Sequence, residues 1–357
     1  MSIQTAKLPT RHRPTGLELS RSSGARGATE GGAGARVYER RMMEARDFQA
    51  IDAAKLYYLS DKSQSEVAKE LGISRPTVSK LLATAREKGF VRIKIVDPRE
   101  SGSTVGAQLM KAFGLSSVQV APGPGGDSSE VVDSLGRLGA QVLQGLVKDG
   151  DSVGVSWGNT MYAIARHLEV QNVHGVEIVQ LKGGMSHSER ATHDFETIDL
   201  FCRAFRAYAR LLPLPAVFRS AEVKRLVEDE PHIAGVMERG GLADIVVFTV
   251  GAARPESMLL QLGYFSDADR KRILSTAVGD ICSRWVDKSG QVCVPDVDAR
   301  TVGIGLQDLK SRPVRLLVAG GLDKAEVILV ALREGYVTHL VIDQATADKL
   351  SLIHISE

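Results

Sequence analysis

The chain has 357 residues, more than one small domain needs and enough for two or three. Hydrophobic residues make up 43% and could fill a sizeable core, but aromatics are only 5%, too few for a protein that stacks single-stranded bases. The net charge of +2 hides a division: residues 1–100 hold 19 Lys and Arg against 12 Asp and Glu, and the remainder 26 against 31. A basic front on an acidic body suits a DNA-binding head joined to a soluble sensor. Three isolated cysteines, Cys202, Cys282 and Cys293, indicate neither a disulfide framework nor a zinc site and read as small core residues in a reducing compartment. No apolar run nears membrane-spanning length and no signal peptide is visible, so a cytoplasmic protein without a membrane partner is expected.

Residues 1–45, rich in Arg, Ser, Gly and Ala, read as a disordered basic lead, because they cannot bury enough surface to offset their ordering entropy. Met42 and Met43 stand just before the first periodic helix, so the lead reads as an upstream over-extension of the reading frame, with a basic arm that adds nonspecific DNA affinity as the alternative. The apolar spacing predicts a helix over Asp47–Ser60. Gln64–Leu82 then reads as a helix-turn-helix. Val67, Ala68 and Leu71 line one face of its first helix. Gly72 supplies a left-handed turn, Ile73 plugs the corner, and Ser74 caps a second helix with Pro76 in its first turn. Val78, Leu81 and Leu82 face inward. Ser74, Arg75, Thr77, Ser79 and Lys80 face outward as candidate DNA-binding residues, since cations and hydroxyls bond phosphates and base edges. Phe90–Val96 alternates like a strand and is expected as a short wing, with Arg92 and Lys94 toward phosphates, making residues 46–98 a winged-helix-like head.

From residue 99 to 357 the pattern becomes strand, glycine turn, helix. Helices are expected over Val105–Phe113, Glu130–Leu146, Met161–Leu168 and Ala325–Arg333, and a final helix near the end. Strands are expected over Ser117–Val120, Ser152–Ser156, Glu177–Leu181, Ile245–Val250, Val314–Ala319 and His339–Ile342. Such units build a Rossmann-like α/β domain on a mostly parallel sheet, with ligands at the carboxyl ends of the strands. Candidate effector-binding residues sit in those turns. Gly158, Asn159 and Thr160 suit a phosphate at a helix start. Lys182 ends an apolar strand beside Gly183 and Gly184, where it could pair with an anion or, neutral, attack an aldehyde. Asp280 interrupts a small apolar segment and must cap a turn or bind sugar hydroxyls. Lys324 stands near a helix N-terminus, where its charge opposes the dipole unless an anion binds. His187 and His193 read as loop residues; no metal site, cofactor or catalytic motif is indicated.

The stretches SQSEVAKELGISRPTVSKLLATAREKGFVRIKI, VGVSWGNTMYAIARHL, VQLKGG, AVGDI, RTVGIGLQDLK, VAGGLDKAEVILVALREG and HLVIDQATADKL resemble the SorC-type family of bacterial sugar-sensing transcription regulators. The resemblance implies an effector domain similar to the glucosamine-6-phosphate deaminase and ribose-5-phosphate isomerase fold, a phosphorylated sugar as effector, double-stranded operator DNA as partner, and a homodimer or homotetramer. It implies phosphate on Gly158, Asn159 and Thr160, sugar-lining roles for Gly183 and Gly184, and ligand-side roles for Asp280 and Lys324. VQLKGGMSHS is similar to the deoxyribonucleoside-regulator branch, which would put Lys182 beside the aldehyde of 2-deoxyribose 5-phosphate. Two stretches depart: TVG at Thr249–Gly251 stands where the family commonly has GIG, and the closing SLIHISE leaves the helix pattern. The expected function is a regulator of a carbohydrate or deoxyribonucleoside operon, most simply a repressor relieved by ligand. The alternative is a sugar-phosphate isomerase, deaminase or Schiff-base aldolase, against which stand the DNA-reading unit and the lack of an acid–base pair for turnover.

Overall fold

The computed structural model describes residues 45–91, 104–121, 128–186, 188 and 191–355. They form two compact units, divided between Lys94 and Ile95. In the first, helices α1 (Ala45–Tyr58), α2 (Gln64–Leu71) and α3 (Arg75–Glu87) close on a core of Ala50, Ala53, Val67, Val78, Leu81, Leu82 and Ala85. Each boundary has a local cause. Ser63 and Glu66 form a reciprocal capping box at the start of α2, and Gly72 ends that helix at φ 65°, a conformation that favours glycine. Ser74 caps α3 by accepting the Thr77 N–H, worth about 1 kcal/mol. Lys88 ties the end of the unit to its start by donating to Asp47 at 2.6 Å. Of the expected wing, Phe90 and Val91 lie in no strand, and residues 92–96 fall outside the described residues, as does the lead over 1–44.

In the second unit, strands β1 (Ser117–Ala121), β2 (Ser152–Val155), β3 (Glu177–Gln180), β4 (Tyr208–Arg210), β5 (Ile245–Phe248), β6 (Val250–Ala252), β7 (Gly279–Ile281), β8 (Arg284–Val286), β9 (Val314–Val318) and β10 (His339–Asp343) form two sheets. Seven are ordered β1-β10-β9-β5-β2-β3-β4, every pair parallel. β2, β3 and β5 are almost entirely buried because helices cover both faces. On one face Leu135, Leu143, Met161, Ile164, Phe201 and Phe205 pack together; on the other, Leu109, Ile328, Leu332 and Leu350 do. From β2 the chain winds outward through β3 to β4, and from β9 it winds the opposite way to β10. This reversal around β5 is the switch point where such sheets open a crevice at their carboxyl ends.

Three differences from the expected elements matter. The helix after β2 starts at Asn159, not Met161, so Asn159 and Thr160 belong to its first turn. A second, antiparallel sheet of β6, β7 and β8 follows β5 and carries Asp280. The closing segment does not leave the helix: Gln344–Ile355 is one helix, held where Leu350 is buried and Ser351 Oγ bonds Gln108 Oε1 at 3.0 Å. Packing against the Thr104–Phe113 helix overrides its weak periodicity. Among the described residues, no helix is long and apolar enough to cross a membrane.

Candidate functional site

On α3, Ser74, Arg75, Thr77, Ser79 and Lys80 are all exposed, while Val78, Leu81 and Leu82 are buried. The helix thus presents two cations and three hydroxyls on one side and anchors itself by the other. The Ser74 and Thr77 hydroxyls pair at 2.8 Å, fixing the first turn from which that face projects.

At the carboxyl ends of the sheet, the backbone of Lys182 is pinned on three sides. Gln180 Nε2 donates to its carbonyl at 3.1 Å, Lys182 bridges Gly303, and the flanking Leu181 carbonyl accepts from Ile304 N–H at 2.8 Å. A Cβ on Gly303 would lie 2.8 Å from Lys182 Cβ, so only glycine allows this approach. The side chain is 5% exposed. Its Nζ lies 3.9 Å from the Trp157 ring centroid and donates to Ser283 Oγ at 3.2 Å. Trp157 is held in turn by donating from Nε1 to Gly183 O at 2.7 Å. Asp280, on β7, accepts the Ser283 N–H at 2.9 Å, so it does cap a turn. A Cβ on Gly251 would meet Asp280 Oδ1, which explains the glycine in the TVG stretch.

The electrostatics stem from burial. It pushes the Lys182 amine below its ordinary range, against the attraction of Asp280. It raises the Asp280 carboxyl, against Lys182, the Ser283 N–H and Lys324. Both shifts favour the uncharged amine and the uncharged acid, which is the state an amine nucleophile needs. Lys324, the residue before the Ala325–Arg333 helix, is also held low by burial, against Asp323, Asp280 and Asp343. Lys182, Asp280 and Lys324 are therefore one electrostatic group, although they come from three distant segments.

Gly158 precedes the Asn159–His167 helix at φ 135°; Asn159 is exposed and Thr160 buried. Gly183 and Gly184 are buried against the chain itself, where Cβ atoms would meet the Pro215 carbonyl and the Asp194 carboxylate. His193 stacks on Tyr162 with ring centroids 4.4 Å apart, and His187 lies outside the described residues. Among the described residues, no cluster of His, Cys, Asp and Glu could hold a metal. Trp157 and Ser283 carry no assignment from the sequence, although Ser283 stands three residues after Asp280, a capping distance. The buried hydroxyls of Ser156 and Thr249, at the ends of β2 and β5, were also unforeseen; neither has a hydrogen-bond partner among the described residues. A cavity of about 390 Å³ lies behind Leu181 and Gly303, but its charged lining is Glu238 and Asp308, the wrong sign for a phosphate.

Residues 98–351 match the Sugar-bind family of sugar-binding domains. Over 301 residues the chain is 48% identical to the deoxyribonucleoside regulator of Bacillus subtilis, covering 84% of this chain and 96% of that one. The chain belongs to the SorC family of sugar-binding transcriptional regulators. Another member, the uncharacterized transcriptional regulator YjhU of Escherichia coli, is 33% identical over 85% of this chain and 94% of its own length. The full-length sorbitol operon regulator SorC of Klebsiella pneumoniae has a similar structure, with a TM-score of 0.71 at 26% identity, covering 85% of this chain and 97% of that one. These SorC-family relatives are transcriptional regulators, not enzymes. The family thus accounts for a chain that joins an exposed basic helix to a sugar-binding domain: it is a DNA-binding regulator with a sugar effector.

Proposed function

We propose that the chain is a repressor of a carbohydrate or deoxyribonucleoside operon, released by a phosphorylated sugar, most specifically 2-deoxyribose 5-phosphate. The reading is carried by the buried Lys182 amine, held between the Trp157 ring and Ser283 beside Asp280. The 48% identity to the deoxyribonucleoside regulator supports the choice of sugar. Residues 46–98 read the operator, with Ser74, Arg75, Thr77, Ser79 and Lys80 on its phosphates and base edges. Residues 99–357 bind the effector and assemble the homodimer or homotetramer.

In this reading the phosphate lies against the Gly158–Asn159–Thr160 turn and Lys324, at a helix start that offers free N–H groups. The open-chain sugar then brings its C1 aldehyde to Lys182. The neutral amine attacks C1, the carbinolamine loses its hydroxyl as water, and a C=N bond remains. Asp280, whose carboxyl burial pushes upward, supplies the proton for the departing water. The adduct is reversible and stores the signal without turnover. Borohydride with 2-deoxyribose 5-phosphate, followed by peptide mass spectrometry, tests it. The expected result is a reduced adduct on Lys182 that is absent from Lys182→Met. Saturable binding with Lys182 unmodified leaves the amine only a charge partner and refutes the imine.

A further inference from the structure

The turn between β7 and β8 is built against its own backbone preference. Ile281 pairs with Arg284, leaving Cys282 and Ser283 as a two-residue hairpin turn with φ of 51° and 70°. Two consecutive positive φ angles are the type I′ pattern, which favours Asn-Gly because other side chains are strained there. This chain puts Cys-Ser in the turn and buries both, Ser283 completely. Strain of this kind persists where the surroundings use the side chain. The Ser283 hydroxyl has one such use: it accepts from Lys182 Nζ at 3.2 Å, while the Ser283 N–H anchors the turn on Asp280 Oδ2 at 2.9 Å.

We infer that Ser283 is a positioning residue for Lys182: its hydroxyl holds the amine over Trp157, toward the bound sugar, and glycine is absent from the turn for that reason. A glycine would suit the backbone and leave the amine without this acceptor. The groups facing the amine are the Asp280 carboxyl and the Cys282 thiol from the hairpin and the Trp157 ring from the end of β2, with Lys324 acting on Asp280. Burial pushes the Cys282 thiol up to about 11, so it stays neutral and cannot replace the hydroxyl as a charged partner. Among these, Ser283 is the hydrogen-bond acceptor that sets where the amine points. An acceptor favours the ammonium over the amine, so its removal eases deprotonation.

The inference refines the sugar-phosphate reading but can be tested apart from it. Ser283→Ala removes the hydroxyl and keeps the turn strain; Ser283→Gly removes both. The first measurement needs no effector: the pH dependence of reductive methylation of Lys182 by formaldehyde and borohydride, followed on its peptide. Both variants are expected to move the labelling midpoint to lower pH, with Ser283→Gly melting above Ser283→Ala. The second is calorimetry with 2-deoxyribose 5-phosphate, where both variants are expected to bind about tenfold more weakly than wild type. An unmoved midpoint together with wild-type affinity in Ser283→Ala overturns the assignment while the sugar reading stands. A moved midpoint in a protein whose wild type ignores 2-deoxyribose 5-phosphate upholds the Ser283 assignment and removes that sugar as effector.

Discussion

The two proposed recognition regions are built in opposite ways. The DNA-facing helix is a short continuous code: Ser74 to Lys80 lie within two turns, and their side chains stand free in solvent. The proposed effector site has no continuous code. Trp157, Lys182 and Lys324 follow β2, β3 and β9 of the parallel sheet, while Asp280 and Ser283 come from the antiparallel β7–β8 hairpin of the second sheet. The first region depends on what its side chains present, and the second on where the sheets deliver them. Substitutions on α3 should therefore act one contact at a time, whereas substitutions in the crevice should move several ionisations together.

The largest expected effect tests the coupled, buried character of the crevice. Because burial holds the Lys182 amine below its ordinary range, the folded protein binds fewer protons there than the unfolded chain, and the neutral fraction grows as pH rises through the window below 10.5. Borohydride-trapped adduct should accordingly reach its plateau rate at a lower pH than an exposed lysine would. A rate that still climbs as far as the ordinary lysine range would mean the attacking group is not the buried Lys182 amine. Next, Lys324→Ala should cost about 1.5–3 kcal/mol of affinity for the phosphorylated sugar and little for the free sugar, a charge-assisted contact being lost. Calorimetry with both ligands checks this, and equal losses would remove Lys324 from the phosphate side.

On the other side of the comparison, Arg75→Ala and Lys80→Ala should each weaken operator binding by roughly 1–3 kcal/mol, leaving sugar affinity of the free protein unchanged. A gel-shift titration at fixed salt reads it; wild-type operator affinity in both variants would break the assignment of α3. The smallest effect belongs to the turn that sets the angle between α2 and α3. Gly72→Ala meets no neighbour within 4 Å but must adopt φ 65°, so it should cost about 1–2 kcal/mol in unfolding of the head and change no contact.

The same contrast governs what the sequence made legible. Gly72, Ser74 and the inward Val78, Leu81 and Leu82 are local signals, and each stands where its neighbours imply. β2, β3, β5, β9 and β10 are readable because each holds Val, Ile, Leu or Phe along its buried part, the mark of a strand covered on both faces. β6, β7 and β8 were not: at three residues each they are too short to display a period of two. The helices over Asp194–Phe205, Ala221–Glu228 and Pro231–Leu242 likewise went unassigned. In the site, Lys182, Asp280 and Lys324 stood out by charge in apolar or glycine-rich surroundings. Trp157 and Ser283 carry no such mark, since what they do depends on a lysine distant in the chain.

The pairing of β1 with β10 has a consequence for synthesis. β1 is the first strand of its sheet to leave the ribosome, and its hydrogen-bond partner, beginning at His339, is the last. The helix before β1 packs on the helix after β10, where Gln108 meets Ser351. Until β10 is synthesised, β1 lacks its partner strand. The effector domain therefore cannot complete its sheet vectorially, strand by strand, and must close in one late event. A chain cut short before His339 would keep every crevice residue from Trp157 to Lys324 yet leave β1 an open edge. Such a fragment would be a substrate for chaperones and proteases before it could ever be a sugar sensor.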